Sequence, residues 1–289
     1  MRQGKSAMLM QLDKWYFDCQ TDLEFGYYYV SRLSIGKLKL ISSEVHHYGK
    51  ENIVHWSRLG RAHVSGLREM RSAGAEIRAR STCTNLTLAK GEKSLNGSWR
   101  STIHPLPRYR RPLYLDENGW CDWKVWSPFS EVSLSISPDT IIRGSGYVDL
   151  VRINIPSWSI PFTSLHWGRL FSKDKWLILF CLLTPGMNTA YSIDSSGICS
   201  DVEIDVDRKD NGEIDVFRWS IDGRPLNAEV VRVLQRGAVL SNARFGSMIP
   251  SRLLARLGSR GFEEKYWVNA RLNGSDYSGP MEEVRWNER

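Results

Sequence analysis

Long apolar runs, paired cysteines and helical periodicity are all scarce in this chain of 289 residues, and each scarcity excludes something. The longest apolar run, Trp176 to Leu183, is far short of the roughly 20 residues that a membrane-spanning helix needs. No stable insertion into a bilayer is expected. The N-terminal segment MRQGKSAMLMQLDKW lacks the apolar centre of a secretory signal, so a cytoplasmic protein is expected. The five cysteines, Cys19, Cys83, Cys121, Cys181 and Cys199, are odd in number and never spaced as CxxC, which argues against a disulfide framework and against a zinc site. Charge of one sign is not dominant either: 39 Lys and Arg oppose 32 Asp and Glu, and the net +7 is spread along the chain. Such an excess decides nothing about polyanionic partners. The one dense basic cluster, Arg108, Arg110 and Arg111 among Pro105, Pro107 and Pro112, reads as a solvated loop, with the rim of an entrance for an anionic substrate as the other reading. Arginines do not interleave with aromatics as a stacking platform requires, so no nucleic-acid partner is expected.

Aromatic residues, in contrast, are plentiful: 12 Trp, 11 Tyr and 9 Phe make 11% of the chain. Period-two alternation dominates the pattern and predicts strands. Val132, Leu134 and Ile136 alternate with serines; Val202, Ile204 and Val206 alternate with acids; Tyr266, Val268, Ala270 and Leu272 alternate with Trp267, Asn269 and Arg271 before the turn Asn273-Gly274. One wet and one buried face per strand is the signature of antiparallel sheets. The acidic run from Asp201 to Asp215 is then a solvated strand face, turned at Asp210-Asn211-Gly212, and not a metal site. Two short helices are expected, from Val64 through Met70 to a stop at Gly74, and from a Ser251 cap to Gly258. The turn cluster Ser137-Pro138-Asp139 suggests a boundary, giving β domains over 1–138 and 139–289. The fold class expected is all-β, two antiparallel barrel-like domains with few short helices.

The histidines form no catalytic or ligand pattern. His46 and His47 are adjacent and so face opposite ways on a strand, and His55, His63, His104 and His166 have no partner at ligand spacing. No metal and no cofactor is expected. Gly144-Ser145-Gly146 precedes a strand, where close backbone approach or a bulge explains it better than a phosphate loop. The group that stands out is aromatic and acidic: Trp120, Trp123 and Trp126 before Pro128, Tyr147 and Asp149 in GSGYVD, then Trp158, His166 and Trp167. Tyr147 and Asp149 share a strand face. A carboxyl enclosed among aromatics is held protonated by desolvation and becomes a proton donor near neutral pH; an aspartate bonding backbone at a strand end is the equal alternative on spacing alone.

Four segments carry a resemblance to a known family: WYFDCQTDLEFGYYYVS from Trp15, WCDWKVWSPFSEVSLSI from Trp120, GSGYVD from Gly144, and SLHWGRLFSKDKWLILFCLLTPGMNTAYSIDSSG from Ser164. Together they resemble the carotenoid 1,2-hydratase (hydroxyneurosporene synthase) family of tandem lipocalin-like proteins, whose wider relatives include fungal Diels-Alderases. The likeness runs from Trp15 to about Trp286. It implies two lipocalin-like β domains and a site for an elongated apolar polyene or polyketide, with Asp149, Tyr147 and Trp123 as catalytic residues and Trp126, Trp167, Cys121, His166 and Arg152 against the substrate. The chain departs from the family at Cys121, where the family has histidine, and in VDLVRINIP, which replaces an asparagine-aromatic-glycine run. The function expected is a cofactor-independent hydratase or cyclase acting on carbon-carbon double bonds of an apolar polyene, isoprenoid or polyketide, with the cation held against Trp123, Trp126, Trp167 and Tyr147. A pericyclase that works by preorganisation without proton transfer to carbon, and a non-enzymatic carrier of apolar ligands, are the alternatives.

Overall fold

The computed structural model describes residues 10–49, 53–103, 110–117, 119–136, 141–155, 161–172, 175–199, 201–238 and 261–286. Among them there are 20 strands and no helix. The described residues fall into two compact units. The first holds β1 (Met10–Gln20), β2 (Phe25–Ile35), β3 (Leu38–Tyr48), β4 (Ile53–Ser65), β5 (Glu69–Ser72), β6 (Ala75–Ala79), β7 (Cys83–Lys90), β8 (Lys93–Ser101), β9 (Arg110–Asp116), β10 (Gly119–Ile136) and β11 (Ile141–Ile153). The second holds β12 (Ser164–Ser172), β13 (Lys175–Thr184), β14 (Met187–Asp194), β15 (Gly197–Cys199), β16 (Val202–Arg208), β17 (Ile214–Ile221), β18 (Arg224–Ala238), β19 (Gly261–Leu272) and β20 (Ser275–Trp286).

In the first unit β1 to β8 follow one another in antiparallel order, β8 pairs with β10, β10 with β11, and β11 with β1. The ring of ten strands is closed, and closure removes exposed edges. β9 hangs on the first half of β10. The core inside the ring is assembled from alternate residues: Trp15 and Phe17, Tyr28 and Val30, Ile41 and Val45, Ile77, Leu86 and Leu88, Leu95, Trp99, Val132 and Leu134, Val148 and Leu150. The alternation read from Val132 and Leu134 therefore reports the ring interior, with Glu131 and Ser133 exposed. β1, β2 and β3 break that pattern because both of their faces are buried; Tyr16, Asp18, Tyr27, Tyr29, Glu44 and His46 lie on the face opposite the core and are buried too.

The second unit is a nine-stranded antiparallel sheet in the order β15-β14-β13-β12-β20-β19-β18-β17-β16. It curls so that Leu170, Leu179, Phe217, Trp219, Leu226, Tyr266, Val268 and Met281 share one core. The acidic strand behaves as expected: Val202 is buried while Glu203 and Asp205 are exposed. The Asn273-Gly274 turn joins β19 to β20 with φ of 50° and 74°, a pair of left-handed residues that matches the twist of a two-residue hairpin.

Three expectations are corrected. Residues 64–70 are not helical: β4 ends at Ser65 and β5 begins at Glu69, and Met70 is buried in the ring core opposite its cross-strand partner Ile77. The RYRRPL segment is not simply loop, since Arg110 and Arg111 open β9; its Pro112 sits on an edge strand at a register shift, where a missing N–H is tolerated. Arg108, like the Ser251–Gly258 segment, lies outside the described residues. Residues 137–140 also lie outside them, but the strands on either side, β10 and β11, are antiparallel partners in one sheet, so the units divide after β11 and not at Pro138.

Candidate functional site

β11 carries GSGYVD, and its pleat sends Val148 and Leu150 into the core of the ring and Tyr147 and Asp149 to the other face. The same face of β10 carries Cys121, Trp123 and Val125; Val125 is directly opposite Asp149. Trp123 lies one step further along and reaches back diagonally, so that its indole Nε1–H donates to Asp149 Oδ2 at 2.9 Å. The Tyr147 hydroxyl donates to the same oxygen at 2.8 Å. All three are enclosed: Asp149 is 4% exposed, Trp123 1% and Tyr147 0%. Two donors on one oxygen of a buried carboxyl compensate its desolvation and fix its orientation.

The aromatic surroundings extend across the sheet from this carboxyl. Tyr16 of β1 is the cross-strand neighbour of Asp149 and packs 6.0 Å from the Tyr147 ring and 5.3 Å from the Tyr29 ring. Tyr29 meets Tyr27 at 5.7 Å, and Tyr27 stacks on His46 at 4.6 Å. Lys14 Nζ stands 4.1 Å from the centre of the Tyr29 ring, the geometry of a cation–π contact. Sequence reasoning missed Tyr16, Tyr27, Tyr29 and His46. The signal for them is in WYFD and FGYYYV, whose alternate residues share a face, but only the register of β1 against β2 and β11 brings them to Asp149.

The remaining expected site residues scatter. Cys121 shares the Trp123 face and is buried; burial, then the charge of Asp122, pushes its thiol far up, so it stands there as a neutral thiol. Trp126 is three residues from Trp123 and lies on the core face instead, 5.1 Å from Trp15 and under the Lys124 ammonium at 3.8 Å. Arg152 also points away from Asp149. Its Nε donates to Asp13 Oδ1 at 2.9 Å, Asp13 pairs as well with buried Arg32, and the Arg152 guanidinium lies 5.0 Å from the Trp120 ring. His166 and Trp167 are on β12, in the second unit, where the pleat puts them on opposite faces. Trp158 lies outside the described residues.

Two further polar groups were not legible in the sequence. Inside the ring, the Tyr28 hydroxyl is 3.0 Å from His47 Nδ1, and His47 Nε2 is 3.3 Å from Glu24 Oε2. Burial lowers the His47 pKa, and Glu24 opposes the shift. In the second unit, buried Glu283 takes two hydrogen bonds from Arg208, at 2.7 and 2.9 Å, while Arg236 and Arg285 hold Glu264 at 2.8 and 3.0 Å. His166 Nε2 lies at the edge of that cluster, 4.0 Å from Glu283. Burial, with Arg208 and Arg285 adding to it, lowers the His166 pKa to about 4. No group of three or more His, Cys, Asp or Glu among the described residues is arranged to hold a metal ion. No helix among them is long and apolar enough to cross a membrane.

No protein-family model and no curated protein matches the chain. Solved structures do. A Nitrosomonas europaea protein provisionally designated AttH superposes with a TM-score of 0.64 at 13% identity, over 97% of this chain and 93% of that one. CghA, solved with Sch210972, gives 0.61 at 11% identity over 96% and 88%. Kievitone hydratase from Nectria haematococca gives 0.58 at 9% identity over 96% and 89%. At such identities the likeness establishes a shared lipocalin-like two-sheet fold, and the residues that differ decide the chemistry.

Proposed function

We propose that the protein is a biosynthetic enzyme that protonates a carbon-carbon double bond of an apolar polyene, isoprenoid or polyketide, with Asp149 as the acid, leading to hydration or cyclisation. The observation that carries this reading is the convergence of Trp123 Nε1–H and Tyr147 O–H on Asp149 Oδ2, at 2.9 and 2.8 Å. With Oδ2 so engaged, a protonated Asp149 carries its hydrogen on Oδ1. When that proton goes to carbon, the carboxylate charge develops on an oxygen that two fixed dipoles already face, and no reorganisation is needed at the moment of transfer. Donors arranged in this way stabilise the product side of the transfer.

The carbocation formed on the neighbouring carbon is stabilised by aromatic faces, each worth roughly 0.5–2 kcal/mol when desolvated. The indole of Trp123 and the phenol rings of Tyr147, Tyr16 and Tyr29 supply such faces on this side of the sheet. Water adding to the cation forms the carbon-oxygen bond and returns its proton to the Asp149 carboxylate, which regenerates the acid and yields an alcohol. An internal alkene adding instead forms a ring, and loss of a neighbouring proton to Asp149 closes the cycle. Neither route consumes an electron donor or acceptor. That one protein of the same fold is by name a hydratase supports the reading.

The experiment is turnover in heavy water with acyclic isoprenoids and linear polyenes as probes, followed by mass spectrometry after back-exchange. The wild type is expected to place one deuterium on carbon, and Asp149→Asn to abolish the product. An isomeric product without carbon-bound deuterium that survives Asp149→Asn overturns the proposal in favour of pericyclic chemistry, which works by holding the reacting ends together. Saturable quenching of tryptophan fluorescence without any product overturns it in favour of a carrier.

A further inference from the structure

The inward face of the second sheet holds buried polar atoms with no hydrogen-bond partner among the described residues, Trp219 Nε1, His166 Nδ1 and Tyr266 Oη among them, and the first two differ in what they need. Trp219 of β17 is 2% exposed, and its indole Nε1–H is an obligate donor. His166 of β12 is 3% exposed. Its Nε2 faces Ser164 Oγ at 3.2 Å and Glu283 Oε1 at 4.0 Å, and its Nδ1, on the other side of the ring, is the unsatisfied atom. Both side chains belong to the core face: Phe217 meets the His166 ring edge to face at 6.4 Å, and Trp219 follows Phe217 on that same face of β17.

What would satisfy the two atoms follows from their chemistry. Burial and the nearby Arg208 and Arg285 keep the His166 ring neutral, as its lowered pKa of about 4 reflects. A neutral imidazole whose Nε2 faces a hydroxyl and a carboxylate carries its hydrogen on Nε2 and offers a lone pair at Nδ1. The histidine therefore lacks a donor, and the indole lacks an acceptor. A hydroxyl is the common group able to act in either role. Away from the Glu283 cluster and the Tyr266 hydroxyl the face is apolar and partly small, with Leu179, Val268, Ala228 and Ala270 in the same core as Phe217. Met281 lies over Gly168, its Cε 2.8 Å from where a β-carbon would stand there. An unbranched thioether is the part of such a lining most able to swing aside.

We propose that the interior of the second unit binds a small apolar alcohol, whose hydroxyl donates to His166 Nδ1 while an oxygen of the same ligand accepts from Trp219 Nε1–H. This assignment rests on the second unit alone and does not depend on the chemistry at Asp149. The ligand class is set by the match: an apolar body for the aliphatic and aromatic walls, and a hydroxyl as the one common group that both donates and accepts. A water molecule is the competing occupant, though a buried water ordinarily makes about three hydrogen bonds.

Calorimetric titration of the full chain with decanol, farnesol, farnesyl methyl ether and the corresponding farnesene separates the two. Farnesol or decanol is expected to bind, with the ether and the hydrocarbon about tenfold weaker, the change expected when a buried polar atom loses its hydrogen bond. His166→Phe and Trp219→Phe are each expected to remove most of that preference of alcohol over ether. The wild type provides a readout that does not depend on the stability of either variant: the nitrogen-15 resonance of His166 Nδ1 shifts on addition of the alcohol and not of the ether. Failure of both alcohols to bind, equal affinity for alcohol and ether, or an unmoved Nδ1 resonance each overturns the proposal and leaves water as the occupant.

Discussion

Asp149 receives two hydrogen bonds at a single oxygen, and the two donors contribute differently once they are removed. Tyr147→Phe keeps the ring and deletes only the hydroxyl, so turnover is expected to fall about 10- to 100-fold with the melting temperature nearly unchanged, as kcat measurements beside a thermal melt would reveal. Trp123→Phe deletes the other donor and also opens space in a buried site, so a similar loss of rate should be joined by about 1–3 kcal/mol of destabilisation. The sequence carries part of this arrangement openly. Two residues separated by one on a strand share a face, and that places Tyr147 beside Asp149. The same rule puts Trp123 and Trp126, three apart, on opposite faces. The diagonal reach of Trp123 depends on the register of β10 against β11, which no local pattern encodes. Asp13 shows the same limit: it is buried between Arg32 and Arg152, which come from β2 and β11. Asp13→Asn removes the charge that both arginines face, and urea denaturation is expected to show a loss of about 3–5 kcal/mol.

Among the strands, β10 does the most to shape the first unit. It is 18 residues long, pairs with β9 in its first half and β8 in its second, and runs against β11 throughout with register shifts between Val125 and Ser127 and between Ser127 and Ser130. Pro128 occurs in the second irregularity, where its missing N–H leaves no ladder bond unmade, and the Ser127 and Ser130 hydroxyls bridge it at 2.7 Å. Opposite lies Gly146 of β11. A β-carbon there would press on the Asp18 carbonyl and come within 2.8 Å of Trp99 Nε1, which donates to that same carbonyl at 2.6 Å. Of the two sequence readings of the GSGYVD glycines, close backbone approach or a bulge, these contacts match close approach. Gly146→Ala is expected to cost about 2–4 kcal/mol, measured by the midpoint of thermal unfolding, through forced separation of β1, β10 and β11. The helix expected over 64–70 illustrates the opposite case. A few apolar residues in a short window fit either period, and the hairpin pairing of β5 with its sequence neighbours β4 and β6 decided for strand.

For the molecule as a whole, stability toward acid is governed by groups that burial disfavours in the charged form. His166 has its pKa lowered to about 4, below that of an exposed histidine, so its contribution is complete above about pH 6.5 and is lost as pH falls from there through 4. The shift corresponds to an amount on the order of 3 kcal/mol. His47, also lowered by burial, acts in the same direction, whereas Glu283, raised by burial, acts in the opposite one. Unfolding free energies between pH 7 and 4 should therefore decline in the wild type and decline less steeply in His166→Gln. The all-β, antiparallel character of the chain was legible in the alternation. The place where the chain divides was not, because the segment after β10 has the composition of a linker although the strands on either side of it are neighbours in one ring.

That ring has a temporal side. β1 pairs with β2 at once, but its other partner is β11, and 120 residues separate Gln20 from Ile141. At synthesis rates of about 5–20 residues per second, β1 waits roughly 6–24 seconds for the strand that covers its open edge. During that interval the nascent chain displays Trp15 and Phe17 beside an unpaired row of backbone N–H and C=O groups, the kind of surface on which intermolecular strand pairing begins. Slowing translation over the codons between β2 and β10 would prolong the exposure, and the yield of soluble protein should fall with it even though the finished chain is unchanged.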